Sequence, residues 1–398
     1  MKRMVKRSRK GWEMGSEAKM KIGAGEAGRF DQRNTMFSRP RDPERSGPAI
    51  LELGKKHYGL RSFKDDDGYT MLDWAFAMGG WYLERWWGFG NIVGDEGLYE
   101  WFPDPTKIAE RDRMPSGKKW EVSDPEEMTR ILKKAAIYMG ASSVGVCKLD
   151  QRWTYSHRFD PRTGNHTPID DIPEEFEHAL VMAHEMNYTL MRTAPTYGEN
   201  AATGRGYSMM AYVASSVAHL IRDLGYKAIP CGNDTALSIP MAIDAGLGEL
   251  GRHGLLITPE FGPRVRISKV FTNLPLVSDE PVEIGARRMC EVCGKCAEKC
   301  PGQAISSDEP TFEGPTISNN HGIYKWYINP ERCFQFWVRN GGDCASCIRV
   351  CVFNKHDHWF HSFIRWQVKN LSFLDKFYLR MDDLFGYGKM IKMEDIWK

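Results

Sequence analysis

At 398 residues the chain exceeds a small electron-carrier module and has room for one large or two medium domains with a real core. Its 54 basic and 52 acidic residues leave a formal charge of +2, so no global field points to nucleic acid as a partner. No window of about eighteen apolar residues is present, which excludes a transmembrane helix.

The first ten residues carry six Lys or Arg and read as a solvated basic tail. No apolar signal region follows, and a twin-arginine leader would set adjacent arginines ahead of an apolar stretch. The expectation is a chain that has lost its leader or one that stays in the cytoplasm. Residues 1–48, polar, basic and rich in Gly, Arg and Pro, read as an extended arm. From Tyr69 to Trp101 the chain turns aromatic, with Trp74, Phe76, Trp81, Tyr82, Trp86, Trp87, Phe89, Tyr99 and Trp101. Such density belongs to core or interface, and it also suits the wall of an apolar ligand pocket. Residues 102–122 form a Pro- and Lys-rich connector, so 1–122 stand apart as an arm with an aromatic segment.

A new unit starts at Ser123, where SDPEE caps a helix running to Met139 with Gly140 as its stop. Val144–Cys147 reads as a buried strand, Ala179–His184 as another, Gly206–Leu224 as a helix and Ala228–Cys231 as a third strand. Strands at Gly254–Ile257 and Ser268–Thr272 lead into the cysteine region. Alternating helices and strands imply an α/β (α+β) core over 123–280, covered on its faces. Cys147 and Cys231 sit in apolar, strand-like settings and read as buried thiols. The remaining residues, 356–398, are aromatic and helical, including WFHSFIRW from Trp359 to Trp366, and should pack on the core.

Eight of the ten cysteines fall between Cys290 and Cys351. Cys290, Cys293, Cys296 and Cys300 follow C-x2-C-x2-C-x3-C-P, an iron-sulfur pattern whose fourth cysteine ligates the other of two clusters. Cys333, Cys344, Cys347 and Cys351 form the second set, although ten residues separate its first two members. The wiring closes if Cys351 completes the Cys290–Cys293–Cys296 site and Cys300 completes the Cys333–Cys344–Cys347 site. Two [4Fe-4S] clusters in a ferredoxin-like module over 281–355 are therefore expected. Zinc would suit isolated Cys-x2-Cys pairs, but the x2-x2-x3 run does not fit one tetrahedral site.

GYSMM from Gly206, PCGNDT from Pro230, AGLGELGR from Ala245 with GLLI from Gly254, GPRVR from Gly262 and both cysteine sets occur in the order and spacing of one family. RWTY from Arg152 and FGYG from Phe385 add to it, with weaker echoes in RFDQRNTMF from Arg29. The chain resembles the corrinoid-dependent reductive dehalogenases of organohalide-respiring bacteria over about Glu121 to Gly388. The resemblance implies a nitroreductase-like core holding a cobalamin-type corrinoid base-off, and the absence of a D-x-H-x-x-G motif agrees with that. It implies Tyr207 as proton donor, Arg266 as its charged neighbour and Asn233 on the halogen side. Corrinoid contacts would come from Asn233, Thr235, Gly246, Gly248, Gly251 and Arg264, glycines letting backbone approach a bulky macrocycle.

The residue types suit reductive dehalogenation, which consumes two electrons and a proton while the cofactors carry the redox step. A phenol holds its proton at neutral pH, and a neighbouring guanidinium favours the phenolate left after transfer. Tyr207 in the first turn of its expected helix would also feel the positive dipole end. Tyr155 is the rival acid, with Trp153 as a candidate pocket wall, and Trp337 between the cluster cysteines as a contact to substrate, cofactor or cluster. Lys148 and His157 receive no role, and His184 and His219 stand in no metal-ligand spacing. The expected substrate is a small organohalide such as a chlorinated ethene or ethane. By family likeness, a small membrane-anchor subunit, a homodimer and export to the outer face of the cytoplasmic membrane are further expectations, with a cytoplasmic site as the alternative; the electron donor is open. An epoxyqueuosine reductase, a tRNA-modifying relative with a corrinoid and paired clusters, is the alternative enzyme. It would carry a basic tRNA face and usually helical repeats after the clusters. An electron-transfer subunit would need the clusters alone, and the 289 residues ahead of Cys290 argue against it.

Overall fold

A computed structural model describes residues 19–398 apart from 24–27, 60–62, 89–96, 104–117, 161–162 and 357. The basic tail, Phe89 and most of the expected connector lie outside the described residues. In chain order, α1 (Pro48–Tyr58) and α2 (Met71–Gly80) come first. The core unit follows with α3 (Pro125–Tyr138), β1 (Ser143–Lys148), β2 (His157–Phe159), β3 (His166–Pro168), β4 (His178–Glu185) and α4 (Tyr188–Met191). It continues with α5 (Tyr197–Asp223), β5 (Ala228–Cys231), α6 (Ser238–Asp244), β6 (Glu249–Leu250), β7 (Leu256–Ile257) and β8 (Val265–Thr272). The cysteine segment holds α7 (Ala286–Cys293), α8 (Lys295–Glu298), α9 (Pro330–Asn340) and α10 (Ser346–Arg349). Helices α11 (Trp359–Asn370), α12 (Asp375–Leu384) and α13 (Glu394–Trp397) come last. Among the described residues no helix is long and apolar enough to cross a membrane.

The main sheet has the order β1-β4-β8-β5, and every neighbouring pair is antiparallel. Alternation along β4 divides its side chains: Leu180 and Met182 join a core with α3 and α5, and Ala179, Val181 and Ala183 join a second core with Trp153, Tyr155 and α6. With helices on one face and α6 and the 150s segment on the other, β4 is buried on both sides. Each buried large apolar side chain contributes about 1.5–3 kcal/mol, so this strand anchors the fold. A separate core of Ile257, Met289, Trp326, Phe353 and Val368 joins the cysteine segment to α11. Part of the expected arm is tied down, since Ile22 bridges Ile323 and the Gly23 amide donates to the Gly322 carbonyl at 2.9 Å.

Helix α5 decides where the site lies, and it starts nine residues earlier than Gly206, at Tyr197. Thr196 caps it by accepting from the Gly198 amide. Two glycines disguise the first turns. A Cβ on Gly204 would come within 2.4 Å of the Trp81 ring, and one on Gly198 within 2.2 Å of the Met393 sulfur. The helix accepts about 1 kcal/mol per glycine in propensity for these close approaches.

Candidate active site

Tyr207 is the eleventh residue of α5 and half-buried. The dipole argument made from sequence therefore fails, because the helix-end field fades within the first turn. Three neighbours hold the ring instead. Trp81 stacks on it with centroids 4.9 Å apart and planes 21° from parallel. The Arg266 guanidinium carbon lies 4.9 Å from the ring centroid. Asn233 Nδ2 donates to the phenol oxygen at 2.8 Å. An accepted hydrogen bond leaves the phenol hydrogen free to point elsewhere and favours the charge left on oxygen when it departs. Tyr207, Asn233 and Arg266, assigned together by resemblance, thus share one site.

Tyr155 is 6% exposed and directs its hydroxyl to the Asn233 carbonyl at 3.3 Å. Burial pushes its pKa up, and its proton is committed to the loop. Trp153 is core. Tyr99, also buried, places its oxygen where a Cβ on Gly232 would meet it at 2.9 Å; that oxygen has no hydrogen-bond partner among the described residues.

The loop after β5 carries Asn233 and Thr235. Its anchor is Lys269 on β8, wholly buried, whose Nζ donates to the Gly232 carbonyl at 2.5 Å, Ser238 Oγ at 2.8 Å and the Ala236 carbonyl at 3.3 Å. Asp234 is buried beside it and receives the Gly232 amide at 2.7 Å and the Thr235 hydroxyl at 2.9 Å. Burial pulls the Lys269 pKa down and pushes the Asp234 pKa up, while their mutual attraction opposes both. Thr235 has a φ of 61°, a strained value for a β-branched residue and one typical of functional sites.

All three expected corrinoid glycines serve the chain's own packing. A Cβ on Gly246 would meet the Glu280 carbonyl at 2.6 Å, and one on Gly248 the Ile257 carbonyl at 2.1 Å. On Gly251 it would meet the His253 ring at 2.7 Å. Arg264 is 1% exposed and fully engaged, with Nη2 2.9 Å from Glu185 and Nη1 donating to the carbonyls of Phe261 and Lys355 at 2.8 and 2.7 Å.

Glu199, which sequence reasoning missed, lies two turns before Tyr207 and is 1% exposed. Burial, then the charge of Asp343, hold its pKa up at about 8, against the pull of Arg266 and Thr203. Thr203 Oγ1 lies 3.4 Å from Glu199 Oε2 and accepts from Arg266 Nη2 at 3.2 Å. Asn200 accepts from Trp81 Nε1 at 2.9 Å and donates to Asp343 at 2.5 Å. The signal was present: Thr196-x-x-Glu199 is a helix-start pattern.

Cys290, Cys293, Cys296 and Cys351 line one cavity with Arg252, His253 and Lys295. Among the described residues no three His, Cys, Asp or Glu side chains close around a single ion. Cys347 lies within electrostatic reach of Cys344, Cys333 and Cys300, and also of Cys296, so the second set gathers beside the first. Burial pushes Cys290, Cys296 and Cys333 up to about 12 and Cys344 to about 11. Thiols so buried become thiolates only with a compensating cation, which cluster iron supplies. Amides of Arg252 and Ala304 donate to the sulfurs of Cys290 and Cys300 at 3.5 and 3.3 Å. Trp337 packs on Phe334 and Phe37 at the edge of the second set.

Residues 289–355 match the family model of the 4Fe-4S dicluster domain. The chain is 36% identical to a tetrachloroethene reductive dehalogenase of Desulfitobacterium hafniense, over 85% of this chain and 72% of that protein. With a tetrachloroethene reductive dehalogenase of Sulfurospirillum multivorans it shares 35% identity over 81% and 69%. A solved structure described as a reductive dehalogenase that suggests a mechanism for B12-dependent dehalogenation superposes with a TM-score of 0.61 at 28% identity. That match covers 69% of this chain and 39% of the other, so the chain spans well under half of that solved protein.

Proposed function

The chain belongs to the reductive dehalogenases, and from that premise we propose that it replaces a carbon–halogen bond by a carbon–hydrogen bond in a small organohalide, with Tyr207 as proton donor. The observation that carries this reading is the phenol oxygen of Tyr207 held by Asn233 at 2.8 Å, its ring flanked by Trp81 and Arg266. A chlorinated ethene is the substrate class we favour, supported by the names of the relatives and by the tryptophan beside the acid.

The residues fit a corrinoid and two [4Fe-4S] clusters. The exposed Asn233 side chain stands beside the acid on a loop strained at Thr235, and eight thiols stand in two neighbouring sets. Asn233 and the loop that carries it would hold the corrinoid. The corrinoid and clusters supply two electrons for cleavage of the carbon–halogen bond. The chain's own part is narrower. Trp81 walls the site against water, Tyr207 holds the proton at Oη, and Asn233 and Arg266 stabilise the phenolate that remains. Two electrons and one proton enter, and halide leaves. By family likeness the protein would work at the outer face of the cytoplasmic membrane, beside a small anchor subunit.

Anaerobically reconstituted protein should bind cobalt and about eight irons and oxidise reduced methyl viologen with chlorinated ethenes. Tyr207→Phe should abolish turnover while keeping both metals. A Tyr207→Phe variant near the wild-type rate would remove the proton donor, and deoxygenation of an epoxyqueuosine-bearing tRNA instead of dehalogenation would replace the reading altogether.

A further inference from the structure

The burial of Glu199 is not accounted for by packing. It is 1% exposed, and its Oε1 has no hydrogen-bond partner among the described residues. Sequestering a carboxyl so incompletely partnered costs stability, and chains retain such groups where they do something. Glu199, Thr203 and Tyr207 recur every four residues along α5 and so share one face of it. At the middle position a threonine hydroxyl has one hydrogen to give and lone pairs to receive. Thr203 gives to Glu199 Oε2 at 3.4 Å, a stronger acceptor than the Met186 thioether at 3.6 Å. It receives from Arg266 Nη2 at 3.2 Å. That is the one side-chain hydrogen bond of Arg266 among the described residues, and its buried Nε has none. A guanidinium with a single tether takes its direction from that tether.

We infer that Glu199, acting through Thr203, is the positioning residue that aims Arg266 at the ring of Tyr207. The carboxyl oxygen fixes the hydroxyl hydrogen, the hydroxyl lone pair fixes Nη2, and the guanidinium carbon comes to rest 4.9 Å from the phenol centroid. The inference rests on Tyr207 being the proton donor.

The test compares Thr203→Val and Glu199→Met with the conservative Thr203→Ser and Glu199→Gln, which keep the hydroxyl and the acceptor oxygen. Each is loaded with iron and corrinoid and assayed with reduced methyl viologen and a chlorinated ethene. Misplacing a catalytic group by about 1 Å costs up to about 100-fold, so Thr203→Val and Glu199→Met should lose about 10- to 100-fold in kcat with KM held within about twofold. Thr203→Ser and Glu199→Gln should recover to within about threefold of wild type, a rescue that a packing defect would not show. A crystal structure of Thr203→Val should find Arg266 turned away from Tyr207. Wild-type kcat in Thr203→Val, or Arg266 unmoved, overturns the inference. Tyr207→Phe run in parallel separates the two levels. If it is inactive and Thr203→Val is normal, the positioning alone falls; if it turns over normally, the proton-donor reading falls and the positioning with it.

Discussion

Replacing Lys269 by Met would probe the loop that presents Asn233. The side chain is fully buried, so Met fills the same volume while deleting three donors, to Gly232, Ala236 and Ser238. It also leaves Asp234, 3% exposed, without its facing cation. Hydrogen bonds from a charged donor are worth about 1.5–3 kcal/mol each, but they are lost together with the charge and do not add. Removing one partner of a buried charged pair costs about 3–5 kcal/mol, and that is the figure expected here. At about 2.1 cal/mol/K of unfolding entropy per residue, a chain of this length should melt roughly 4–6 °C lower. Thermal melting followed by circular dichroism under anaerobic conditions reads it. Asp234→Asn in the same chain should return part of the loss, because the orphaned carboxyl is then neutral. A Lys269→Met protein melting with wild type would refute the anchoring role, as would unchanged turnover in a destabilised variant, since the Asn233–Tyr207 hydrogen bond is expected to go with the loop.

Cys351→Ser should abolish the same cluster as Cys290→Ser and leave about four of eight irons, while Cys300→Ser should abolish the cluster lost in Cys333→Ser. Electron paramagnetic resonance of the four reduced proteins should show two residual spectra in these pairings; any other pairing breaks the crossed assignment. Glu199→Gln should change how stability follows pH. With its pKa raised to about 8, the folded chain keeps a proton that the unfolded chain releases near the ordinary carboxylate pKa. Its contribution is therefore full below about pH 4.5 and is lost as pH climbs toward about 8. The melting temperature of wild type relative to Glu199→Gln should fall between those limits and level off above them. A pH-independent difference would show that the buried carboxyl does not titrate there.

Much of the fold could be read from local pattern. Ala228–Cys231 was expected as a strand and is one, and Ser143–Lys148 and His178–Glu185 each exceed the expected strand by one residue at either end. The cysteine sets were visible because ligand spacing is a local constraint on the chain. The start of α5 was not, because Gly198 and Gly204 answer to Met393 and Trp81, contacts made across the fold that no local window contains. The same blindness hid Lys269, whereas Glu199 stood in a local Thr196-x-x-Glu199 helix start that the two glycines masked. A lysine within VRISKVFT reads as a solvent-facing residue of a strand until the loop from Gly232 to Ser238 closes over it. The strands' antiparallel pairing was likewise out of reach, since alternation of helix and strand in sequence is compatible with either direction.

The crossing of the two cysteine sets has a consequence for biogenesis. Cys296 and Cys347 lie within electrostatic reach of each other, and Cys351 closes the cavity that Cys290 opens. On the crossed assignment, neither half of the segment holds all four ligands of one cluster. A ribosome that has released Cys300 but not yet Cys347 would then expose a chain on which no cubane can be finished. Iron delivery would then wait for the later half to be made and folded back, so the scaffold proteins that donate clusters would meet a polypeptide already grown past the second cysteine set.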